Sequence, residues 1–276
     1  MRNPRQKRQT AASQRAAKET RTGWLKIGGV LAVVAAIATT FVMVSRGNRS
    51  LDPETLCPTT PSSITVLLVD VTDPMTVAQR QDFQNQLTKL RNSIPRYGKL
   101  IVAKVDSASQ TLLKPVIVRC NPGTADDVSD WTGDPKGVQK QYREGFEKPL
   151  ADVFSNLSIA SGSDRSPIFE SVQSVALTEL LTPDVIDLPR TLILASDLLQ
   201  NTDTISFYAG LPSPDELINS APFRRVRSDL RQIEIEMWML ERADAPRTQP
   251  RSLSAVWETA FSEQGGSVRR IYNVSG

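Results

Sequence analysis

A carboxylate and a hydroxyl two residues apart close the apolar run Ile64 to Val69: Asp70 and Thr72 in Asp70-Val71-Thr72-Asp73-Pro74. Two later segments supply the same oxygen chemistry. Ser166-Pro167 stands at an expected helix start, and Asp197 ends the apolar run Thr191 to Ser196. In an open α/β sheet the carboxyl ends of the strands are where ligands and metals bind. The oxygens of Asp70, Thr72, Ser166 and Asp197 suit a hard divalent cation, Mg²⁺ or Mn²⁺. Pro74 has no side-chain oxygen, so one further ligand position would fall to water or Asp73. A second account leaves both carboxylates metal-free, satisfied by loop N–H groups and helix N-termini. Two nearby carboxylates repel and raise a pKa, which favours something positive between them.

Other chemistries are excluded or poorly supported. The chain has no histidine, so Ser-His-Asp and Cys-His catalysis cannot operate. There is no Gly-x-x-x-x-Gly-Lys phosphate loop and no Gly-x-Ser-x-Gly elbow. An aspartyl phosphotransferase could begin at Asp70, but the second Asp such enzymes place two residues on is here Thr72. No enzymatic activity is expected. Trp131, Trp238 and Trp257 are read as packing residues. Cys57 and Cys120 cannot complete a zinc site without histidine; they are expected as a disulfide, because both lie in the part read as exported.

The elements that position these residues alternate. Strands are expected at Ile64–Val69, Leu100–Val105, Leu113–Arg119, Thr191–Ser196, Ile233–Leu240 and Val268–Val274. Pro115 suits an edge strand. Between the strands lie helical patterns: Thr76 and Gln79 form a capping box before Phe83, Leu87, Leu90 and Ile94. Val138, Tyr142, Phe146 and Leu150 mark a helix interrupted near Pro149 and continuing to Leu157. Ser166 as N-cap with Pro167 at the first helical position starts another. The alternation predicts an α/β fold, doubly wound around a mostly parallel sheet with helices on both faces.

Charge and hydropathy divide the chain. Residues 1–26 hold eight Lys/Arg against one Glu, and the rest holds 25 basic against 29 acidic residues. The basic charge belongs to the tail, which argues against a nucleic-acid-binding domain. The 18 residues Ile27 to Val44 carry no charge and as a helix span about 27 Å, close to the hydrocarbon thickness of a bilayer. More basic charge precedes than follows, which places the N-terminus in the cytoplasm. The long basic region, with no small-x-small pattern closing the run, favours an uncleaved signal-anchor over a cleaved signal peptide. Gly28, Ala32, Ala36 and Thr40 form a smooth face for contact with another membrane helix. The expected organisation is a cytoplasmic tail (1–26), a transmembrane helix (27–44), a linker (45–62) and an exported domain (63–276).

The order of these elements across 64–274 resembles the von Willebrand factor A domain. Asp70 and Thr72 are similar to the family's Asp-x-Ser-x-Ser motif, with Pro74 in place of its second hydroxyl. Ser166-Pro167-Ile168 is similar to its Thr element. Ser196-Asp197-Leu198 is similar to its Thr-Asp-Gly, without the glycine. The ending Leu253 to Val274 resembles its last helix and strand. The resemblance implies a doubly wound, Rossmann-like fold and a degenerate metal-dependent adhesion site at Asp70, Thr72, Ser166 and Asp197. It further implies binding to another protein, with any metal bridging to an acidic group on that partner. A bacterial inner membrane with a periplasmic domain is the expected setting. The alternative is a metal-free structural subunit of a cell-envelope or mobile-element-encoded assembly.

Overall fold

The structure is a computed structural model that describes residues 29–39, 50–70, 74–105, 112–129, 133–157, 164–242 and 249–274. Residues 1–49 and 50–276 form two separate units. In the first, residues 29–39 are helical. Among the described residues no helix is long and apolar enough to cross a membrane. The flanks of the expected span, with Gly28 and Thr40, lie outside the described residues, whereas Ala32 and Ala36 lie on the helix.

The second unit is a mixed α/β domain built on six strands. These are β1 (Ile64–Val69), β2 (Lys99–Lys104), β3 (Ile117–Cys120), β4 (Arg190–Ser196), β5 (Ile233–Leu240) and β6 (Ser267–Val274). Their order in the sheet is β3-β2-β1-β4-β5-β6, parallel throughout except for β3. The chain runs outward from β1 to β3, then returns to lay β4 against the other side of β1. The order therefore reverses between β1 and β4, which makes their carboxyl ends the topological switch point.

Every residue of β1 is buried, because helices cover both faces of the sheet and alternate side chains enter different cores. Ile64, Val66 and Leu68 join one core with α4 (Ile168–Val175), α5 (Pro214–Asn219), α6 (Ala221–Val226) and α7 (Leu253–Glu263). Leu67 and Val69 join the other with α1 (Val77–Ser93) and α3 (Lys148–Leu157). The capping box of α1 forms as expected: the Gln79 N–H donates to Thr76 Oγ1 (3.2 Å), and the Thr76 N–H donates to Gln79 Oε1 (3.0 Å). Trp257 and Trp238 are core residues, Trp257 stacked on Phe169 with ring centroids 4.1 Å apart. Trp131 lies outside the described residues.

Two local expectations need correction. The helix at 138–157 is not interrupted at Pro149. The chain passes from α2 (Pro135–Gln141) through a π-helical stretch, Tyr142–Glu147, directly into α3. Proline lacks an N–H and its ring crowds the carbonyl four residues back, and a widened turn just ahead of it accommodates both without breaking the helix. Strand β3 begins at Ile117, not Leu113; Pro115 cannot donate, so pairing with β2 starts only with the Val116 N–H, which donates to the Val102 carbonyl (2.7 Å).

The segment expected as a linker is strapped to the domain from residue 50 onward. A Cys57–Cys120 disulfide joins it to the end of β3, with Cα atoms 4.7 Å apart. The Cys120 N–H also donates to the Thr55 carbonyl (2.9 Å), and the Ser62 N–H to the Tyr97 carbonyl (3.0 Å).

Candidate functional site

Asp70 leaves β1 at its carboxyl end with its backbone N–H donating to the Ala195 carbonyl of β4 (2.8 Å). That bond aims the side chain across the switch point. The carboxyl is almost fully buried, and its Oδ2 accepts from two hydroxyls: Ser166 Oγ, and Ser196 Oγ at 3.2 Å. Asp197 follows on β4, also buried; its Oδ1 accepts from the Leu199 N–H (2.9 Å). Asp70, Ser166 and Asp197 thus meet at one end of the sheet. Thr72, the fourth expected site residue, lies outside the described residues.

Ser166 does not cap α4. The residue preceding that helix is Pro167, which makes no side-chain capping bond, and the Ser166 hydroxyl is engaged by Asp70. Ser166 is held there by reciprocal backbone bonds with Asn201, each 2.9 Å. Gln200 serves the helix start instead: its buried Oε1 accepts from the Phe169 N–H (3.0 Å), and its Nε2 donates to Glu170 (2.9 Å).

The Leu198 backbone occupies the left-handed region at φ +62°, the conformation glycine adopts without cost. This is the position where the family motif has its glycine. Leu198 is held by its neighbours: its N–H donates to Ser196 Oγ (2.8 Å), its carbonyl accepts from the Trp257 indole (2.8 Å), and its side chain is wholly buried.

A positive charge lies within the cluster. Nε of Arg242, two residues beyond β5, stands 2.8 Å from Asp197 Oδ2, and both side chains are largely shielded from solvent. The N–H lies off the line to the oxygen, so the contact is one of charges and not an aligned hydrogen bond. Gln249 fixes this corner: its Oε1 accepts from the Arg242 N–H (2.8 Å) and its Nε2 donates to the Asp197 carbonyl (3.0 Å) and the Leu240 carbonyl (2.9 Å). The Arg242 guanidinium also lies 5.8 Å from the centre of the Tyr208 ring.

Burial raises the pKa of both carboxyls. For Asp70 desolvation dominates, opposed by the hydrogen bonds from Ser166 and Ser196 and by the charges of Arg242 and Lys104. For Asp197 desolvation, with the neighbouring charge of Asp70 adding to it, pushes the pKa up to about 7 against the Leu199 N–H. The guanidinium at 2.8 Å favours the ionised form and works against that rise. Half-exposed Tyr208 feels the same field: burial first, then the charges of Asp197 and Asp70, push its hydroxyl up to about 12.

The donor set does not fit a divalent metal well. Asp70 Oδ2 is already taken by two hydroxyl protons, Asp197 Oδ2 faces a guanidinium, and Pro74 offers no oxygen. Among the described residues no group of three or more His, Cys, Asp or Glu is placed to hold a metal ion.

Ser196, Arg242, Gln249 and Tyr208 were not singled out as site residues from the sequence. For Ser196 and Arg242 a signal was present: Ser196 ends β4 at the switch point, and Arg242 lies two residues beyond β5, the strand beside it.

No protein-family profile and no curated protein matches the chain. Among solved structures it is similar to an aerotolerance-related membrane protein from Bacteroides fragilis carrying multiple mutations to serines. The identity is 10%, over 78% of this chain and 92% of that one, with a TM-score of 0.38. It is similar also to the conserved hypothetical protein BatB from Bacteroides thetaiotaomicron, at 12% identity over 76% of this chain and 90% of that one, with a TM-score of 0.38. Likeness at that level carries no functional weight, and the architecture rests on the strand order itself.

Proposed function

We propose that residues 63–276 form a protein-interaction domain of the von Willebrand factor A type, displayed outside the cytoplasm by an N-terminal signal-anchor. Its contact surface is the carboxyl edge of β1 and β4, with half-exposed Tyr208 at the rim. One observation supports this above the others: Asp70, Ser166, Ser196 and Asp197 gather at the switch point of the sheet, the place where open α/β folds bind ligands. In this reading the domain binds without performing chemistry, its carboxyls held by hydroxyl and backbone donors.

A second reading, a structural subunit of an envelope assembly whose cluster is only scaffold, is favoured by the burial of Asp70 and Asp197 at 3% and 6% exposure. Cross-linking of the full-length protein in its native membranes separates the two. Tyr208→Ala should remove the cross-linked partner with no change in melting temperature, while Glu258→Ala, on the exposed side of α7, should not. A partner retained by Tyr208→Ala and lost by Glu258→Ala would place the interface elsewhere and refute binding at this edge.

A further inference from the structure

We propose that Arg242 is the cation of this site: a side chain of the chain itself supplies the charge that the family resemblance assigns to a divalent metal, so the edge is complete without one. The inference deepens the reading of this edge as a binding surface, though its test does not require a partner.

Three observations on different elements carry it. The first is placement. Arg242 reaches the cluster from just beyond β5, the strand beside β4, and its Nε lies 2.8 Å from the Asp197 oxygen that no backbone N–H occupies. The second is fixation. Gln249 links the backbone of Arg242 to the backbone of Asp197 and to the end of β5 through three hydrogen bonds, so the backbone from which the largely shielded Arg242 side chain projects is fixed relative to Asp197. The third is the ligand set, which departs from a metal site where Arg242 compensates. Proline stands at position 74 in place of a hydroxyl, and both serine hydroxyls point their protons at Asp70. Donated protons and a guanidinium stabilise buried carboxylates; a hard dication would have to displace both.

A buried ion pair that loses one partner leaves an uncompensated charge, whereas losing both is far less harmful. The test uses that asymmetry on the full-length protein in detergent, by thermal melting with chelator and with millimolar Mg²⁺ or Mn²⁺. Wild type should melt at the same temperature in all three. Arg242→Gln should melt several degrees lower, Arg242→Lys should recover part of the loss, and adding Asp197→Asn to Arg242→Gln should recover part of it too, a non-additive pair. If Arg242→Gln does not fold, Arg242→Lys and Asp197→Asn alone still give the sign of the coupling with their double variant. A rise in the wild-type melting temperature with Mg²⁺ or Mn²⁺, abolished by Asp70→Ala, would overturn the proposal, as would strictly additive effects of the two substitutions. Failure here leaves the Tyr208 cross-linking result untouched, and the converse also holds.

Discussion

Leu198 sets two effects of known size against each other. Its backbone is left-handed and its side chain fully buried. Holding an L-residue other than glycine in that region costs roughly 1–2 kcal/mol, which Leu198→Gly would recover. Truncating a buried leucine to alanine costs about 2–5 kcal/mol. Going on to glycine loses one more carbon, worth about 0.8 kcal/mol, and roughly 0.5–1 kcal/mol of backbone entropy. Packing therefore wins, and Leu198→Gly should be less stable than wild type by about 3 kcal/mol.

The comparison with Leu198→Ala isolates the strain. At an ordinary buried position glycine is the worse of the two by the sum of those terms, roughly 1.3–1.8 kcal/mol; here relieved strain of roughly 1–2 kcal/mol should cancel that, leaving the two variants level. Urea unfolding followed by tryptophan fluorescence measures both, and at about 2–4 °C per kcal/mol either variant should melt roughly 6–12 °C below wild type. Glycine clearly below alanine would mean that the left-handed backbone stores no strain. Either variant matching wild type would mean that the leucine side chain does not hold the turn that carries Asp197.

Three shorter expectations follow from other elements. Cys57→Ser should destabilise the domain by up to about 4 kcal/mol, the chain-entropy value for a loop of this length, given a sequence separation of 63; reductant should bring wild type to the same midpoint and leave the variant unmoved, and a variant as stable as wild type would show the strap to be idle. Thr76→Ala should cost about 1 kcal/mol through loss of the capping box, read from the same unfolding curves, while Thr88→Ala, mid-helix on α1, should cost less. A reporter enzyme active only outside the cytoplasm should work when fused after residue 276; activity confined to an N-terminal fusion would reverse the topology.

The strands were legible because burial on both faces leaves nearly unbroken apolar runs, as in Val66-Leu67-Leu68-Val69, and such runs admit few other structures. Asp70 and Asp197 were legible for a related reason: each is the first carboxylate after such a run, so strand order alone brings them together. The Cys57–Cys120 bridge followed from counting the cysteines of the part read as exported. Gln249 and Gln200 were not legible, because a polar side chain on a loop has no periodicity, and Asp197 and Phe169, which they bond, lie tens of positions away. Ser166 was misassigned for a more specific reason. Ser-Pro before Ile168 has the local form of a helix cap, but the helix starts one residue later, with Pro167 at the cap position, and the Ser166 hydroxyl instead donates a charge-assisted bond to Asp70.

The strap and the cluster lie at opposite ends of the sheet. Cys120 pairs with Lys99, and Lys99 with Ile64, at the amino ends of the strands, while Asp70 leaves the carboxyl end of β1 about 20 Å away. A pull delivered through residues 50–57 and resisted at the carboxyl edge therefore acts along the length of β1. That strand is registered with six residues of β2 on one side and six of β4 on the other, so both ladders are loaded in shear and their hydrogen bonds share the force instead of opening one after another. The disulfide diverts part of the same force into β3, and the most buried strand of the domain becomes its tension member.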